Sequence, residues 1–578
     1  MKKSILASSI AAAMFGLGAV GAHAAVGIDA SGSGDMLIVP YFSAQGANAT
    51  LLSITNSDTQ NGKAVKVRFR GAANSDDVFD FQVFLSPTDV WTANVSKGAD
   101  GLSRLTTSDK SCTKPSPAIL NATPFITSRL DQRLTGDALA AGTREGYIEI
   151  IGMADVPPNS GAAGKAAAWA PTATTAPQTN GLLRTTTPPV TTADSNNPLF
   201  TAIKHVSGVA PCSGSAFTAL DSVNAFNLTN GNTWATTGNR TGAQFGLTPI
   251  TGGLHADWTI VNTVNAAAWG GAAVALSSNA DQATRQSTSG TVNNLYAPQI
   301  GTGVTQTIAT QWSADPLFLK ADTETVVYNA TGQNLVAATG VAPVFVAGYY
   351  DLPDLSTALD ATIANTANAT QIQTITDALA ARSSIMNEFA TESAISGSTD
   401  WVFSMPTRRY SVAMAYSKIS ATNDGRVWNA LLNSTTATSP TISNQFGLAN
   451  TSIVGNTICV SGASPVAYDR EELTASSTAT VVVSPSTVTG GVKLCGETSV
   501  LSFNNGSAAS SAAVGGSVAL TSVDVGYSAG WATLSVAAGS HRTYGAGAAA
   551  AKNYPIAGGA FQRAAFGAQG FGVFRSFR

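Results

Sequence analysis

From Val65 to Arg70 the residues alternate strictly. Val65, Val67 and Phe69 fall on one parity, and Lys66, Arg68 and Arg70 on the other. An extended strand, whose side chains point to opposite faces in turn, is what sorts such a pattern into a dry side and a polar side. The expectation is an antiparallel sheet with one wet face. Met36 to Phe42 and Leu51 to Asn56 are apolar runs of strand length, and Phe79, Phe81 and Val83 offer a further strand. Asn61-Gly62 lies between the second and third runs and supplies the residue types of a hairpin turn. Turn dipeptides recur at Asp100-Gly101, Asn230-Gly231, Asp424-Gly425 and Asn505-Gly506. Strand-like sequence resumes at Trp401 to Phe403, Arg409 to Val412, Val481 to Val483 and Val500 to Phe503, so β structure is expected over most of the chain.

Two regions break the pattern. Gly161 to Asp194 is Ala, Thr and Pro with hardly an aromatic besides Trp169, which reads as an exposed low-complexity insertion outside the sandwich. Between Leu355 and Ala394, Ile372, Ile375, Leu379, Met386 and Phe389 fall at helical spacing without an interrupting Pro or Gly, so one or two helices are expected there. The fold class expected is therefore mainly β: antiparallel β-sandwich domains with a low-complexity insertion and a short helical segment. The expected divisions are a signal peptide at 1–24, an N-terminal β domain at 25–155 and a low-complexity-rich insertion at 156–245. A β region at 246–352, a helical segment at 353–395 and a C-terminal β domain at 396–578 follow.

Lys2 and Lys3 precede an apolar run from Ile5 to Val20, and Ala22-His23-Ala24 is a small-x-small site. This is the pattern of a secretory signal peptide cleaved between Ala24 and Ala25, which places the chain outside the cell or on its surface. No later stretch reaches the roughly 18 apolar residues of a membrane helix, so no transmembrane span is expected. Cys112, Cys212, Cys459 and Cys495 form no C-x-x-C pair. Four cysteines in an exported chain read as two disulfides with three possible connectivities, and neighbourhood in sequence favours Cys112 with Cys212 and Cys459 with Cys495.

The charge balance of 31 basic and 34 acidic residues offers no basic field, so nucleic acid is not an expected partner. Charged residues make up only 11% of the chain, against about 25% in an average soluble protein. A surface built instead from Ala, Thr, Ser and Gly opposes self-association weakly. Gly526-Tyr527-Ser528-Ala529-Gly530 matches the nucleophile-elbow pattern, but strand-like sequence from Trp531 follows where the elbow needs a helix, His541 is the single later His, and no acid lies beyond Asp524. No catalytic residue is assigned. His205, His255 and His541 are far apart, so no transition-metal site is expected. Asp76, Asp77 and Asp80, and Asp322 with Glu324, carry oxygens of the kind that bind Ca²⁺, yet no EF-hand loop surrounds them and they read as solvated acids. Arg408-Arg409 reads as the polar face of a strand. No cofactor is expected.

Particular strings carry a resemblance. Asp35-Met-Leu-Ile-Val-Pro-Tyr-Phe42, Asn61-Gly-Lys-Ala-Val-Lys-Val-Arg-Phe-Arg70, Ser75-Asp-Asp-Val-Phe-Asp-Phe81 and Leu85-Ser-Pro-Thr-Asp-Val-Trp91 resemble the N-terminal region of a family of proteobacterial cell-surface proteins. That family includes S-layer-like proteins of Gram-negative bacteria and the nanopod type that sheaths outer-membrane vesicles. Thr399-Asp-Trp-Val-Phe-Ser-Met-Pro-Thr-Arg-Arg-Tyr410, Tyr468-Asp-Arg-Glu-Glu472 and Tyr554-Pro-Ile-Ala-Gly-Gly-Ala-Phe561 are similar to it as well. The resemblance implies a structural, non-enzymatic protein whose partner is itself, in a homo-oligomeric lattice, with outer-membrane lipopolysaccharide as the anchor. A secreted adhesin and an outer-membrane β-barrel are the alternatives; the barrel's strands should recur as roughly ten-residue alternations.

Overall fold

The alternating segments form strands, and nearly all the strands pair antiparallel. The computed structural model describes residues 26–158, 197–220, 245–278, 375–414, 424–429, 445–469, 492–539 and 552–578, a few positions inside these spans excepted, with Tyr416, Ile419 and isolated short strands elsewhere. The expected signal peptide with its Ala24–Ala25 junction, the stretch Gly161 to Asp194, and Asp322 with Glu324 lie outside the described residues, as do Asn230-Gly231, Val481 to Val483 and His541.

Two sheets make the first sandwich. Its early strands are β1 (Val26–Ile28), β2 (Met36–Ser43), β3 (Asn48–Asn56), β4 (Gly62–Gly71), β5 (Asp77–Leu85), β6 (Val90–Lys97), β7 (Ser103–Thr106), β8 (Cys112–Lys114) and β9 (Glu145–Val156). Three later strands complete it: β10 (Leu254–Asn262), β11 (Ala267–Ala272) and β12 (Val274–Ser278). One sheet has the order β1-β12-β2-β9-β4-β5-β8 and the other β11-β10-β3-β6-β7. Val65, Val67, Phe69 and Phe81 of the first meet Leu52, Ile54, Trp91 and Trp258 of the second in one buried cluster. Burying each such side chain contributes about 1.5–3 kcal/mol relative to exposure. Gly146 of β9 is required by a close approach, since a Cβ there would lie 1.7 Å from the carbonyl oxygen of Arg70.

Asn61-Gly62 is not a hairpin. β3 pairs with β6 and β10, whereas β4 pairs with β5 and β9, so residues 57–61 carry the chain from one sheet to the other. Asp58 Oδ1 holds that crossing by accepting the backbone N–H groups of Gln60 and Asn61, an Asx-type turn. Asp100-Gly101 does join neighbouring strands, with Gly101 at φ +82° between β6 and β7.

The expected wet face is dry. Lys66, Arg68 and Arg70 are 0–1% exposed, because the outer side of the seven-stranded sheet is covered in turn. Helices Pro198–Ile203 and Ser215–Ala219 pack Leu199, Phe200, Ile203 and Phe217 against Ile38, Phe84, Tyr147 and Ile151. These helices fall within the span expected to be an insertion, but their residues belong to the core. A disulfide between Cys112 and Cys212 ties this layer to the edge strand β8.

The C-terminal part adds β13 (Ser384–Ala390), β14 (Ser398–Ser404), β15 (Val466–Asp469), β16 (Thr498–Phe503), β17 (Leu520–Val523), β18 (Ala529–Ser535), β19 (Ala557–Phe566) and β20 (Gln569–Ser576). One sheet runs β17-β16-β14-β19-β20, and another begins β13-β18-β15. Phe389, Trp401, Phe403, Phe503 and Phe577 fill the core of this half. The helical expectation for 353–395 is corrected in its later part, residues 353–374 lying outside the described ones. A helical turn occupies 375–379, but Ser384–Ala390 is a strand in which Ile385, Asn387 and Phe389 face inward and Met386 and Glu388 outward. Leu379, Met386 and Phe389 imitate helical spacing only because the count runs across the boundary between two elements.

The halves share one interior. Phe561 of β19 reaches the N-terminal cluster, with its ring 5.7 Å from Tyr41 and 5.8 Å from Trp258, and Phe574 of β20 lies 4.8 Å from Trp258. Trp269 Nε1 donates to the backbone oxygen of Gln562 at 2.8 Å. The strands at 254–278 also complete the N-terminal sandwich, so the described residues do not separate into cores at 155 or 246.

Candidate functional site

The singled-out polar residues collect at a buried junction between the halves. Arg68 and Arg70 of β4 reach Asp77 and Glu149 on neighbouring strands at 3.3 Å each, and Arg129 also contacts Asp77, at 3.2 Å. Asp76 and Asp77 are therefore not solvated acids: Asp76 accepts the Tyr416 hydroxyl at 2.6 Å, and Asp80 stands opposite Arg68 in register. Arg408-Arg409 sits in a 3₁₀ turn, Arg408–Tyr410, not on a strand face. Arg408 Nε lies 2.6 Å from Glu497 Oε2, and Arg409 Nη2 lies 3.8 Å from Glu149. Burial raises the Glu497 carboxyl above its ordinary range despite the two arginines. Closed from solvent and internally compensated, this network joins the two halves rather than meeting a ligand.

A second buried cluster has two carboxylates for one ammonium. Lys63 Nζ lies 2.5 Å from Asp155 and 3.1 Å from Asp58. Burial pushes Asp155 up to about 6, with Asp58 adding to the rise and Lys63 opposing it.

The elbow-like serine is on the surface. Gly526 has φ +73°, and Ser528 precedes strand β18 directly, with its Oγ donating to Glu392 Oε2 at 3.3 Å. His205 contacts Asp89 and Ser86, while His255 contacts Ser57. Among the described residues no group of three or more His, Cys, Asp or Glu is placed to hold a metal, and no helix is long and apolar enough to cross a membrane. Cys459 and Cys495 face each other across strands Thr457–Ser461 and Lys493–Cys495 and are bonded.

What the sequence reading missed is an exposed apolar face. β20 is the edge strand of its sheet, and Phe571 and Val573 project outward from it at 55% and 46% exposure. Phe566, across the hairpin on β19, is 56% exposed and makes an edge-on contact with Phe571 at 6.2 Å. Arg575, next on the same side, approaches Glu388 of β13 at 3.7 Å. Glu388 is paired in register with Trp531, 40% exposed and stacked on Tyr468 at 4.2 Å. The signal was present in Gln569-Gly-Phe-Gly-Val-Phe574, where one parity carries glycine and the other Phe571 and Val573. A second outward face, on the five-stranded N-terminal sheet, presents Leu51, Ser53 and Thr55 of β3, Val90 and Thr92 of β6 and Thr259 of β10, with Asp257 and, at the end of β6, Lys97 as the exposed charges of those three strands. Comparison with protein-family models, with curated proteins and with solved structures finds no match to this chain.

Proposed function

We propose that this chain is an exported structural protein that self-assembles into a surface layer or vesicle sheath on an outer membrane, working by assembly and not by catalysis. The observation that carries the reading is the face around Phe566, Phe571, Val573 and Trp531, where large apolar side chains stand beside an edge strand. Soluble monomers avoid this combination, because an edge offers unpaired backbone groups and an apolar patch rewards covering. The nearly uncharged outward face of β3, β6 and β10 supplies a second contact area, as a lattice needs contacts on more than one side. The resemblance to Gram-negative S-layer-like proteins and the signal-peptide pattern at 1–24 support the same reading, with lipopolysaccharide as the anchor.

Negative-stain microscopy and sedimentation of the purified mature chain test it. Ordered sheets or higher oligomers are expected, and Phe571→Lys with Val573→Lys should disperse them into folded subunits, since a buried unpaired charge costs several kcal/mol in each repeated contact. Moderate salt should leave the assembly intact, because few ion pairs are there to be screened. A chain that stays monomeric at high concentration, with and without Ca²⁺ and lipopolysaccharide, refutes the proposal.

A further inference from the structure

A cleft of about 690 Å³ opens where the end of β6, the loop before β9, the turn after β10 and the segment 510–517 converge. Its charged lining consists of Lys97, Arg144, Arg563 and Asp137, three cations to one carboxylate. Asp137 is engaged by Arg144 at 2.7 Å, and its carboxyl is held below the usual range first by Arg144, with the Lys97 charge adding to the effect. Lys97 is exposed. The Arg563 Nε is buried and finds no hydrogen-bond partner among the described residues. No carboxylate among the described residues forms a salt bridge with Arg563, and an unpaired guanidinium is a receptor for a planar or tetrahedral anion.

The opposite wall is already fixed. Asp400 Oδ2 accepts the backbone N–H groups of Ala513 and Val514 at 2.8 and 2.7 Å and the Ser511 hydroxyl at 2.6 Å. Glu145 Oε1 accepts the N–H groups of Ser517 and Val518 at 2.8 and 2.6 Å. Two buried carboxylates thus clamp a Ser/Ala/Gly-rich segment that Val514 also anchors in the core, and a ligand meeting this wall need not order it first. Neither carboxylate lines the cleft.

The lining also says what the ligand is not. It contains no aromatic residue, so nothing stacks a base, and its neutral part mixes serine hydroxyls and the amides of Gln45, Asn262 and Asn265 with the small apolar side chains of alanines, Val264 and Val514. The volume falls within the range of about 300–1,000 Å³ that holds ligands well above the size of a single phosphate. We infer that this cleft binds an acidic oligosaccharide, with the anionic group of the sugar on Arg563 and Lys97 and its hydroxyls along the 510–517 wall. The inference concerns a face separate from the apolar one and does not depend on assembly.

Isothermal titration of the full mature chain, repeated on the Phe571→Lys variant to separate binding from assembly, uses four probes: trigalacturonate, glucose 6-phosphate, maltotriose and inorganic phosphate. The acidic sugars should bind and weaken as salt rises, and neutral maltotriose should bind at least tenfold more weakly. Arg563→Gln should weaken the acidic sugars by tenfold or more. Lys97→Gln, at an exposed position that leaves folding unaffected, should weaken them severalfold. Equal binding of maltotriose, no binding of either acidic sugar, or unchanged binding in Lys97→Gln overturns the inference. Inorganic phosphate binding as tightly as the sugars overturns the oligosaccharide and leaves a simple anion site.

Discussion

The pair Arg408 and Glu497 should behave as a coupled unit whose halves cannot be removed singly. Both side chains are essentially sealed from water, with Arg408 Nε 2.6 Å from Glu497 Oε2, Arg408 Nη1 donating to the backbone oxygen of Ile458 at 2.6 Å, and Glu497 Oε1 accepting the Arg409 backbone N–H at 3.2 Å. At an effective dielectric of about 20 and a charge separation of about 4 Å, their attraction is about 4 kcal/mol, and cutting one member of a buried pair costs about 3–5 kcal/mol because the other stays desolvated. Arg408→Met and Glu497→Leu should therefore each destabilise by about that much. The double variant should lose no more than about 2 kcal/mol, because a methionine beside a leucine fills the same space without a stranded charge. Guanidinium unfolding followed by circular dichroism, with hydrogen exchange in β14 and β16 as a local readout, gives the four corners of the cycle. Additive effects, with coupling below about 0.5 kcal/mol, would refute the claim that these two charges act as one buried ion pair.

Acidification should favour the fold through Asp155. Its carboxyl titrates near 6 when folded and near 3.8 as a free group, so the folded chain takes up a proton that the unfolded chain does not, and stability rises by on the order of 2–3 kcal/mol as pH falls across that window. Asp155→Asn should flatten this part of the pH–stability curve, and an unchanged curve would rule the assignment out. Replacing Cys112 and Cys212 by alanine opens a link across 100 residues and should cost about 4 kcal/mol, read as a lower unfolding midpoint with early exchange in Pro198–Ile203. Gly146→Ala should destabilise by about 3 kcal/mol because its Cβ collides with the Arg70 backbone, and a neutral outcome in thermal melts would show that β4 and β9 can move apart. Ser528→Ala should leave folding, assembly and any hydrolytic activity unchanged; an esterase activity that fell with it would overturn the structural reading.

Period-two patterning made the β class legible, and strands β2 to β5, β14, β16 and β18 sit where the alternation and apolar runs put them. The pattern says which residues share a face but not what lies against it. Nothing local to Lys66, Arg68 and Arg70 signals that Glu149 stands beside them or that a further layer closes over them, because those partners arrive from distant sequence. The same holds for Asp76 and Asp77, whose neighbours Tyr416, Arg68 and Arg129 are fixed by tertiary packing alone. At Ser384–Ala390 a strand was hidden because a window spanning two elements mixed their periods. The cleft around Arg563 was out of reach for a related reason: its cations, Lys97, Arg144 and Arg563, lie on three separate segments of the chain, and no motif connects them.

The strand order sets a timetable for folding. β10 lies between β3 and β11 in the five-stranded sheet, and β12 lies between β1 and β2 in the seven-stranded one. A chain emerging from its N-terminus can thus display β1 to β9 and still lack an interior strand in one sheet and a bridging strand in the other until Ser278 has appeared. Even then Trp258 stays partly uncovered until Phe561 and Phe574, some three hundred residues later, dock on it. Contacts of such long sequence separation form slowly, and their apolar surfaces stand open meanwhile. For a molecule proposed to assemble through its finished surface, this delay puts the greatest hazard before maturity, when unfinished sheets of neighbouring chains can pair with each other. A holding factor that covers the β3 edge until β10 arrives would meet that hazard without touching the completed fold.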